Sequence, residues 1–94
     1  MNITEIIWLE DIVEKLIRKH NVKEQEVIEV LKKRPKFRFV EKGHRKGENV
    51  YAALGQTNSG RKLIVFFVYK GDKQALIVSA RDMTKSERKK YEQG

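Results

Sequence analysis

The sequence contains no cysteine, one proline and two histidines. Without cysteine, neither a disulfide bond nor a thiolate metal site can form, and a reducing cytoplasm is the expected location. The histidines, His20 and His44, fall in different predicted elements and belong to no HxH or HxxxH pattern. We therefore expect neither a dedicated metal site nor a bound cofactor.

Long apolar runs are also missing. The longest, Leu63–Tyr69, has seven residues, whereas a helix that crosses a membrane needs about 20. The first nine residues are too short a segment for a signal peptide and include Glu5. No GxGxxG or Walker loop occurs, and Ser79 lacks the GxSxG context of a hydrolase nucleophile. We expect no membrane partner, no phosphate-binding loop and no serine-hydrolase site.

What the sequence has in excess is positive charge. Twenty-one Lys and Arg oppose thirteen Asp and Glu, which gives a net charge of +8. Such an excess attracts polyanions, because neutralising their phosphates releases counterions. Nucleic acid and an acidic protein are the partners it favours, and the two are not exclusive. At 94 residues we expect one domain, residues 1–94, with a single thin core.

Two amphipathic helices are predicted in the first third of the chain, after a β-prone run at Ile3–Trp8. The first spans Glu10–His20 and ends at Asn21, a residue that tolerates the left-handed conformation. Its apolar positions, which we expect to face the core, are Ile12, Val13, Leu16 and Ile17. The second runs from about residue 23 to 33, and Pro35 helps to end it.

Beyond Pro35 the apolar period changes to two, which predicts strands at about residues 36–40, 48–56, 61–69 and 74–80. The strand at 61–69 is apolar on both faces, so we expect it to be central. Thr84 and Glu87 fit a capping box, which predicts a last helix that ends near Glu92. The predicted fold is α+β, in the order β-α-α-β-β-β-β-α, with an antiparallel meander packed against helices.

Basic residues are candidates for RNA binding. Those on the strands, loops and last helix are Arg38, Arg45, Lys46, Lys85 and Arg88. Arg61 opens the central strand, and Arg81 closes the next one. Because adjacent strands of a meander run antiparallel, both arginines fall at one edge of the sheet, near the N-terminus of the last helix, which favours anions. We expect them to converge as a phosphate-binding corner.

Several short strings resemble the BrnT toxin family. Lys19-His20-Asn21-Val22 resembles its KHGV string between two helices, with Asn in place of Gly. Residues 53–61 resemble its ALGRT…GR hairpin, and Gln56 replaces a frequent Arg there. Residues 77–84, followed by Glu87, Arg88 and Tyr91, resemble its ISAR…T..ER..Y ending. The order and spacing of the strings carry the resemblance, which covers nearly the whole chain.

The resemblance implies a RelE-like fold and a type II toxin that cleaves RNA without a metal ion. It also implies a cognate antitoxin, a small DNA-binding protein usually of ribbon-helix-helix type. That antitoxin blocks the toxin, and the complex represses its own operon.

Metal-free cleavage uses the ribose 2′-OH as nucleophile and needs a base, cations for the phosphorane and an acid for the leaving oxygen. We predict that Arg61 and Arg81 stabilise the phosphorane. His44 or Glu48 is the candidate base. The residue that assists the leaving group is Tyr91, Arg45 or Arg88.

Two other functions fit the same residues. One is a non-catalytic module that binds RNA or an antitoxin, which predicts salt-sensitive binding without a cleavage product. The other is a homo-oligomer whose basic face is only surface, which predicts no RNA affinity at physiological salt.

Overall fold

The computed structural model describes residues 1–44 and 47–94. Its elements are β1 (Glu5–Ile7), α1 (Glu10–His20), α2 (Glu24–Lys32), β2 (Lys36–Glu41), β3 (Val50–Gln56), β4 (Lys62–Tyr69), β5 (Gln74–Asp82) and α3 (Lys85–Glu92). Both the α+β class and the predicted order are confirmed. None of these helices is long and apolar enough to cross a membrane.

The strands form one sheet in the order β1-β5-β4-β3-β2. Strands β2 to β5 are the predicted antiparallel meander, and β4 is central. The parallel pairing of β1 with β5, from Glu5 opposite Gln74 to Ile7 opposite Leu76, was not predicted. Only three residues of β1 enter the ladder, which is too few for a sequence pattern to specify a partner strand.

The sheet has two differently covered faces. On the face that α1 and α2 cover, called here the helix-pair face, buried β4 residues such as Leu63 and Phe67 pack with Leu16 and Val27. On the opposite face, called the α3 face, a smaller cluster of buried residues packs with two half-buried rings. Its members are Ala52, Leu54, Ile64 and Met83, with Phe66 and Tyr91 against them. Each fully buried aliphatic or aromatic side chain contributes about 1.5–3 kcal/mol.

Helix α1 ends as predicted, with Asn21 in the left-handed conformation at φ 53° and its N–H donating to the Ile17 carbonyl at 3.1 Å. The prediction that Ile17 faces the core is wrong, because its side chain is 52% exposed. Ile12 and Leu16 make the contact with the sheet. Ile17 lies 100° further around the helix than Leu16, because the helix has about 3.6 residues per turn.

Helix α2 crosses the sheet over Gly55, a buried residue of β3. A Cβ atom at this position would lie 3.1 Å from Cγ1 of Val30 and 3.3 Å from Cβ of Pro35. Glycine therefore allows α2 and the Pro35 segment to approach the strand closely.

Gly55→Ala is expected to lower the free energy of unfolding by about 1 kcal/mol, because the added methyl group overpacks the contact with Val30. Urea denaturation of Gly55→Ala, Val30→Ala and the double variant measures this as a cycle. In the double variant the truncated Val30 leaves room, so the loss should be smaller than the sum of the single losses. Strict additivity would contradict the proposed contact.

Candidate functional site

Arg61 is held on the helix-pair side by carboxylates and main-chain carbonyls. Its Nε and Nη2 donate to the two carboxylate oxygens of Asp82 at 2.7 and 3.2 Å. Nη1 donates to Glu26 at 3.2 Å and to the Asn21 carbonyl at 2.7 Å, and Nη2 donates to the His20 carbonyl at 3.1 Å. The hydrogen bond to Asp82 raises the pKa of Arg61 and lowers the pKa of Asp82. One guanidinium thus joins the ends of α1 and β5 to α2.

The turn before β4 presents Arg61 to these partners. Thr57, which is buried, accepts the Arg61 N–H at its Oγ1 atom at 3.0 Å and donates its own N–H to the Arg61 carbonyl at 2.9 Å. Gly60 takes φ 92°, a conformation that favours glycine. The Asn58 N–H donates to Glu29 on α2 at 2.9 Å. These bonds fix the turn on α2 and so fix the origin of the Arg61 side chain.

Arg81 lies on the α3 face and forms a two-bond pair with Glu87, at 2.7 and 3.0 Å. Its guanidinium also lies 5.5 Å from the centroid of the Phe66 ring. Glu87 accepts the Thr84 N–H at 2.8 Å, which completes the predicted capping box of α3. The hydrogen bonds from Arg81, together with those from Thr84, lower the pKa of Glu87 to about 2.

Arg61 and Arg81 occupy the same end of the sheet, as expected, but their side chains do not converge. Arg81 is opposite Ile64 in the ladder, whereas Leu63 is opposite Asp82, the partner of Arg61. Because successive side chains of a strand point to opposite faces, one guanidinium serves the helix-pair face and the other the α3 face. No phosphate-binding corner is formed by the pair, and the catalytic roles of the two residues stay predictions.

The two candidate bases lie at the other end of the sheet. Glu48 precedes β3, where its carboxylate accepts from Lys70 Nζ at 2.7 Å, and His44 is exposed in the connection between β2 and β3. Glu48 is six residues from Leu54, about 20 Å in extended geometry. Leu54 shares a row with Arg81 through Ile64. One phosphate group therefore cannot contact both the candidate bases at one end of the sheet and Arg81 at the other end.

Of the other predicted site residues, Arg45 and Lys46 lie outside the described residues. Lys85 and Arg88 are exposed on α3, where they line a shallow depression with Lys89 and Glu92. Arg38 is exposed on β2 and points to the α3 face, opposite Ala52. Tyr91 is half-buried and packs against the apolar cluster beneath α3. Arg38 and Tyr91 line a second cavity together.

That cavity lies between β2 and α3 and has a volume of about 250 Å³. Its lining is Lys36, Phe37, Arg38, Leu54, Lys90 and Tyr91. Lys36 Nζ donates to the Tyr91 carbonyl and lies 5.1 Å from the centroid of the Tyr91 ring. An apolar floor that includes the Tyr91 ring is therefore bordered by three cationic side chains. We refer to it below as the α3 cavity.

The sequence analysis singled out neither Lys36 nor Lys90. The available signal was the alternation of Lys36 with Arg38 on one face of β2, together with the position of Lys90 beside Tyr91. Neither signal predicts that α3 folds back over β2, because that contact depends on tertiary packing. Among residues 1–44 and 47–94, no group of three or more His, Cys, Asp or Glu side chains is placed to hold a metal ion.

Substituting Arg61 tests its structural role. Arg61→Ala and Arg61→Lys are both expected to lower the unfolding free energy by about 2–3 kcal/mol, since lysine cannot span the two carboxylates and the two carbonyls. Urea denaturation measures the loss, and Arg18→Ala on the exposed surface of α1 is the control, with a change within about 0.5 kcal/mol. If Arg61→Lys matched the control while an RNA-directed activity disappeared, Arg61 would have a direct chemical role instead.

The pair of Arg81 and Glu87 makes stability depend on pH. Because folding lowers the pKa of Glu87 from 4.5 to about 2, its contribution is complete above about pH 4.5 and is lost as the pH falls towards 2. Both side chains are partly solvated, so we expect about 1–2 kcal/mol rather than the full value of the shift. Unfolding in urea at pH 7 and pH 2.5 should show a loss in both proteins. The loss in Glu87→Gln should be smaller than in the wild type by this amount, because Asp82 also has a lowered pKa and contributes a loss of its own.

Glu14→Gln, at an exposed position on α1, is the control for that titration and should retain the loss seen in the wild type. An undiminished loss in Glu87→Gln would mean that another group is responsible.

The chain was compared with known proteins. No curated protein matches it. Among solved structures, it is similar to the crystal structure of the ribonuclease toxin BrnT from Brucella abortus, with a TM-score of 0.62 and 20% sequence identity. The match covers 87% of this chain and 100% of the other. At that identity the likeness supports the α+β fold, and the RelE-like label stays a prediction.

A family model covers most of the chain. It matches residues 8–87 and describes the ribonuclease toxin, BrnT, of a type II toxin-antitoxin system. The matched range includes Arg61, Arg81 and strands β2 to β5, and it ends within α3. The chain therefore belongs to the BrnT family of ribonuclease toxins of type II toxin-antitoxin systems.

Proposed function

We propose that this toxin cleaves RNA on the α3 face of its sheet, with the α3 cavity as the binding site for one nucleotide and its phosphate. The observation that carries the proposal is the three cations, Lys36, Arg38 and Lys90, around an apolar floor that includes Tyr91. Single-stranded nucleic acids bind where cations follow the backbone and aromatic rings stack on bases. The net charge of +8 favours the same substrate.

The neighbouring row of the sheet extends this surface beyond the cavity. It runs from Ser79 through Phe66 and Ala52 to Arg38, one row removed from the part that α3 covers. The Phe66 ring is half-buried, with the Arg81 guanidinium over it. We propose that a second base reaches Phe66, so that RNA crosses the strands from β2 towards β5.

We propose a metal-independent reaction in which the 2′-hydroxyl attacks the adjacent phosphorus and gives its proton to water, while the bond to the 5′-oxygen breaks. The group that protonates the 5′-oxygen then regains a proton from water. The products are a 2′,3′-cyclic phosphate and a free 5′-hydroxyl. The phosphorane carries extra negative charge, which Lys36, Arg38 and Lys90 stabilise by charged hydrogen bonds in a partly enclosed site. Tyr91, which lines the same cavity, is the proposed donor to the leaving 5′-oxygen.

The other predicted residues take different parts in this proposal. Arg61 is a positioning residue, because its donors engage Asp82, Glu26 and two carbonyls. Arg81 contacts RNA beside Phe66, with its charge partly balanced by Glu87. Glu87 is itself too weak a base at a pKa of about 2. His44 lies in the connection between β2 and β3, at the other end of the sheet from Arg81, and is proposed to contact flanking RNA.

One observation favours the alternative, a basic module that binds RNA or an antitoxin without cleavage. The residues that line the α3 cavity include no imidazole and no carboxylate in the described part of the chain. A family member without a base at the scissile phosphate would keep affinity for RNA and lose turnover. The cleavage assay below separates the two functions.

As a type II toxin, the chain is proposed to pair with a cognate antitoxin, a small DNA-binding protein of ribbon-helix-helix type. An inhibitor of this kind needs a surface that overlaps or adjoins the RNA site.

An RNA cleavage assay in EDTA tests the proposal. Wild type is compared with Lys36→Ala, Arg38→Ala and Arg81→Ala, and Lys19→Ala on exposed α1 is the matched control. Loss of one phosphate contact in the transition state should lower kcat/KM by about 10- to 1000-fold, largest for Lys36 and Arg38 at the cavity. Product ends are identified by their sensitivity to a 3′-phosphatase, and folding of each variant is checked by urea denaturation.

The outcomes are distinct. Cleavage that EDTA abolishes would contradict metal independence. Cleavage that survives Lys36→Ala and Arg38→Ala would place the site elsewhere, with the end that carries His44 as the next candidate. Salt-sensitive RNA binding without product, weakened by the same variants and not by Lys19→Ala, would establish the non-catalytic module.

A further inference from the structure

We propose that the free edge of β2 binds an acidic, extended segment of a partner protein as a sixth strand of the sheet. The inference rests on the proposed function in one respect, which is that the partner is the antitoxin of this toxin. The proposal names a surface, a binding mode and a charge for that partner, and each has its own observation.

The surface is an edge that nothing covers in the described part of the chain. Strand β2 is last in the sheet and pairs with β3 alone. Five of its six residues are exposed, and the side chains of Phe39 and Val40 are 52% and 40% exposed. A strand edge with unpaired N–H and C=O groups and exposed apolar side chains is a template for an added strand.

The charge of the edge selects an acidic occupant. Residues 32–44 contain one acidic residue, Glu41, and six basic ones. The basic residues are Lys32, Lys33, Arg34, Lys36, Arg38 and Lys42. Opposite charges across a strand pair are favourable and like charges are unfavourable. An added strand with carboxylates facing Lys36 and Arg38 therefore fits the edge.

The same charges disfavour a second copy of this chain. Two β2 strands paired antiparallel would bring the lysines and arginines of both edges together. A bulge limits where any strand can add, because Phe39 is opposite Tyr51 and Glu41 is opposite Val50, so that Val40 has no partner on β3. Lysines on an edge are a device that prevents the edge from pairing with its own kind. The β2 edge therefore disfavours pairing with a second copy of this chain and favours pairing with an acidic strand.

Strand addition here also accounts for inhibition. Lys36 and Arg38 line the α3 cavity and belong to β2. A carboxylate beside them on an added strand would take the positions that RNA phosphates need. The partner therefore blocks the RNA site by charge competition at its border and need not enter the cavity.

The probe is a short N-acetylated peptide of alternating glutamate and valine, which places carboxylates on the face of Lys36 and Arg38 and valines on the face of Phe39. Two peptides of equal length are the controls. One has lysine in place of glutamate, and the other keeps every side chain but is N-methylated at alternate residues, which removes the backbone donors of one edge. Binding is measured by fluorescence anisotropy, and its location by hydrogen exchange of the full chain.

We expect the acidic peptide to bind at least tenfold more tightly than either control and to slow amide exchange in residues 36–41. Arg38→Glu, at an exposed position, should weaken the acidic peptide and strengthen the lysine peptide. Equal affinity for the N-methylated peptide would overturn the proposal, because a polyanion would then bind without forming a strand. Exchange protection on α1 or β1 and not on β2 would overturn it too.

Failure of this inference differs from failure of the proposed function. A peptide that adds to β2 in a chain that neither binds nor cleaves RNA would leave the edge assignment standing and remove the ribonuclease proposal. RNA cleavage without peptide binding would support the ribonuclease proposal and remove the assignment of the β2 edge. If both hold, the acidic peptide should compete with RNA, and the N-methylated peptide should compete at least tenfold less well.

Discussion

Strand β4 is apolar on both faces, and the architecture follows from the need to cover it. Leu63, Val65 and Phe67 are buried under α1 and α2 on one face, and Ile64 is buried on the other. Among the described residues, one short helix, α3, lies on the second face. Helix α3 has eight residues and covers one end of it. The remaining part of that face, with Phe66 and Arg38, stays accessible and carries the candidate site.

The two-faced sheet also separates Arg61 and Arg81, which the sequence analysis predicted to converge. A residue directly before β4 and one near the end of β5 share an end of the sheet, but the alternation of strand side chains decides which face each serves. Arg61 serves the closed face and stabilises the junction of α1, α2 and β5. Arg81 serves the open face and can contribute to the surface around Phe66.

Local sequence signals predicted the features that depend on neighbouring residues, such as helix ends and the central strand. Asn21 ended α1, Thr84 and Glu87 capped α3, and the two-sided apolar run placed β4 in the centre. Tertiary packing decided the remainder. Ile17 follows the helical period and is still exposed, because the sheet contacts α1 along the line of Ile12 and Leu16.

The candidate site shows the same limit. Arg38 and Tyr91 were predicted from residue type, and their meeting at one cavity depends on where α3 docks. Lys36 was missed for that reason. His44 and Glu48 fit the chemistry of a base, but they lie at the other end of the sheet, and strand length places Glu48 about 20 Å from Leu54 in the cavity lining. Residue type identifies candidates, and the sheet register determines which of them can act on one phosphate.

The attachment of α3 has a dynamic consequence. None of its residues is fully buried, and polar contacts at its two ends hold it to the sheet. Those contacts join Glu87 to Arg81, Glu92 to Lys62, and the Tyr91 carbonyl to Lys36. A helix held in this way opens locally at low cost, and more easily as salt screens the ion pairs. We therefore expect this wall of the cavity to open more readily at high salt, and an anion that bridges β2 and α3 to oppose that opening.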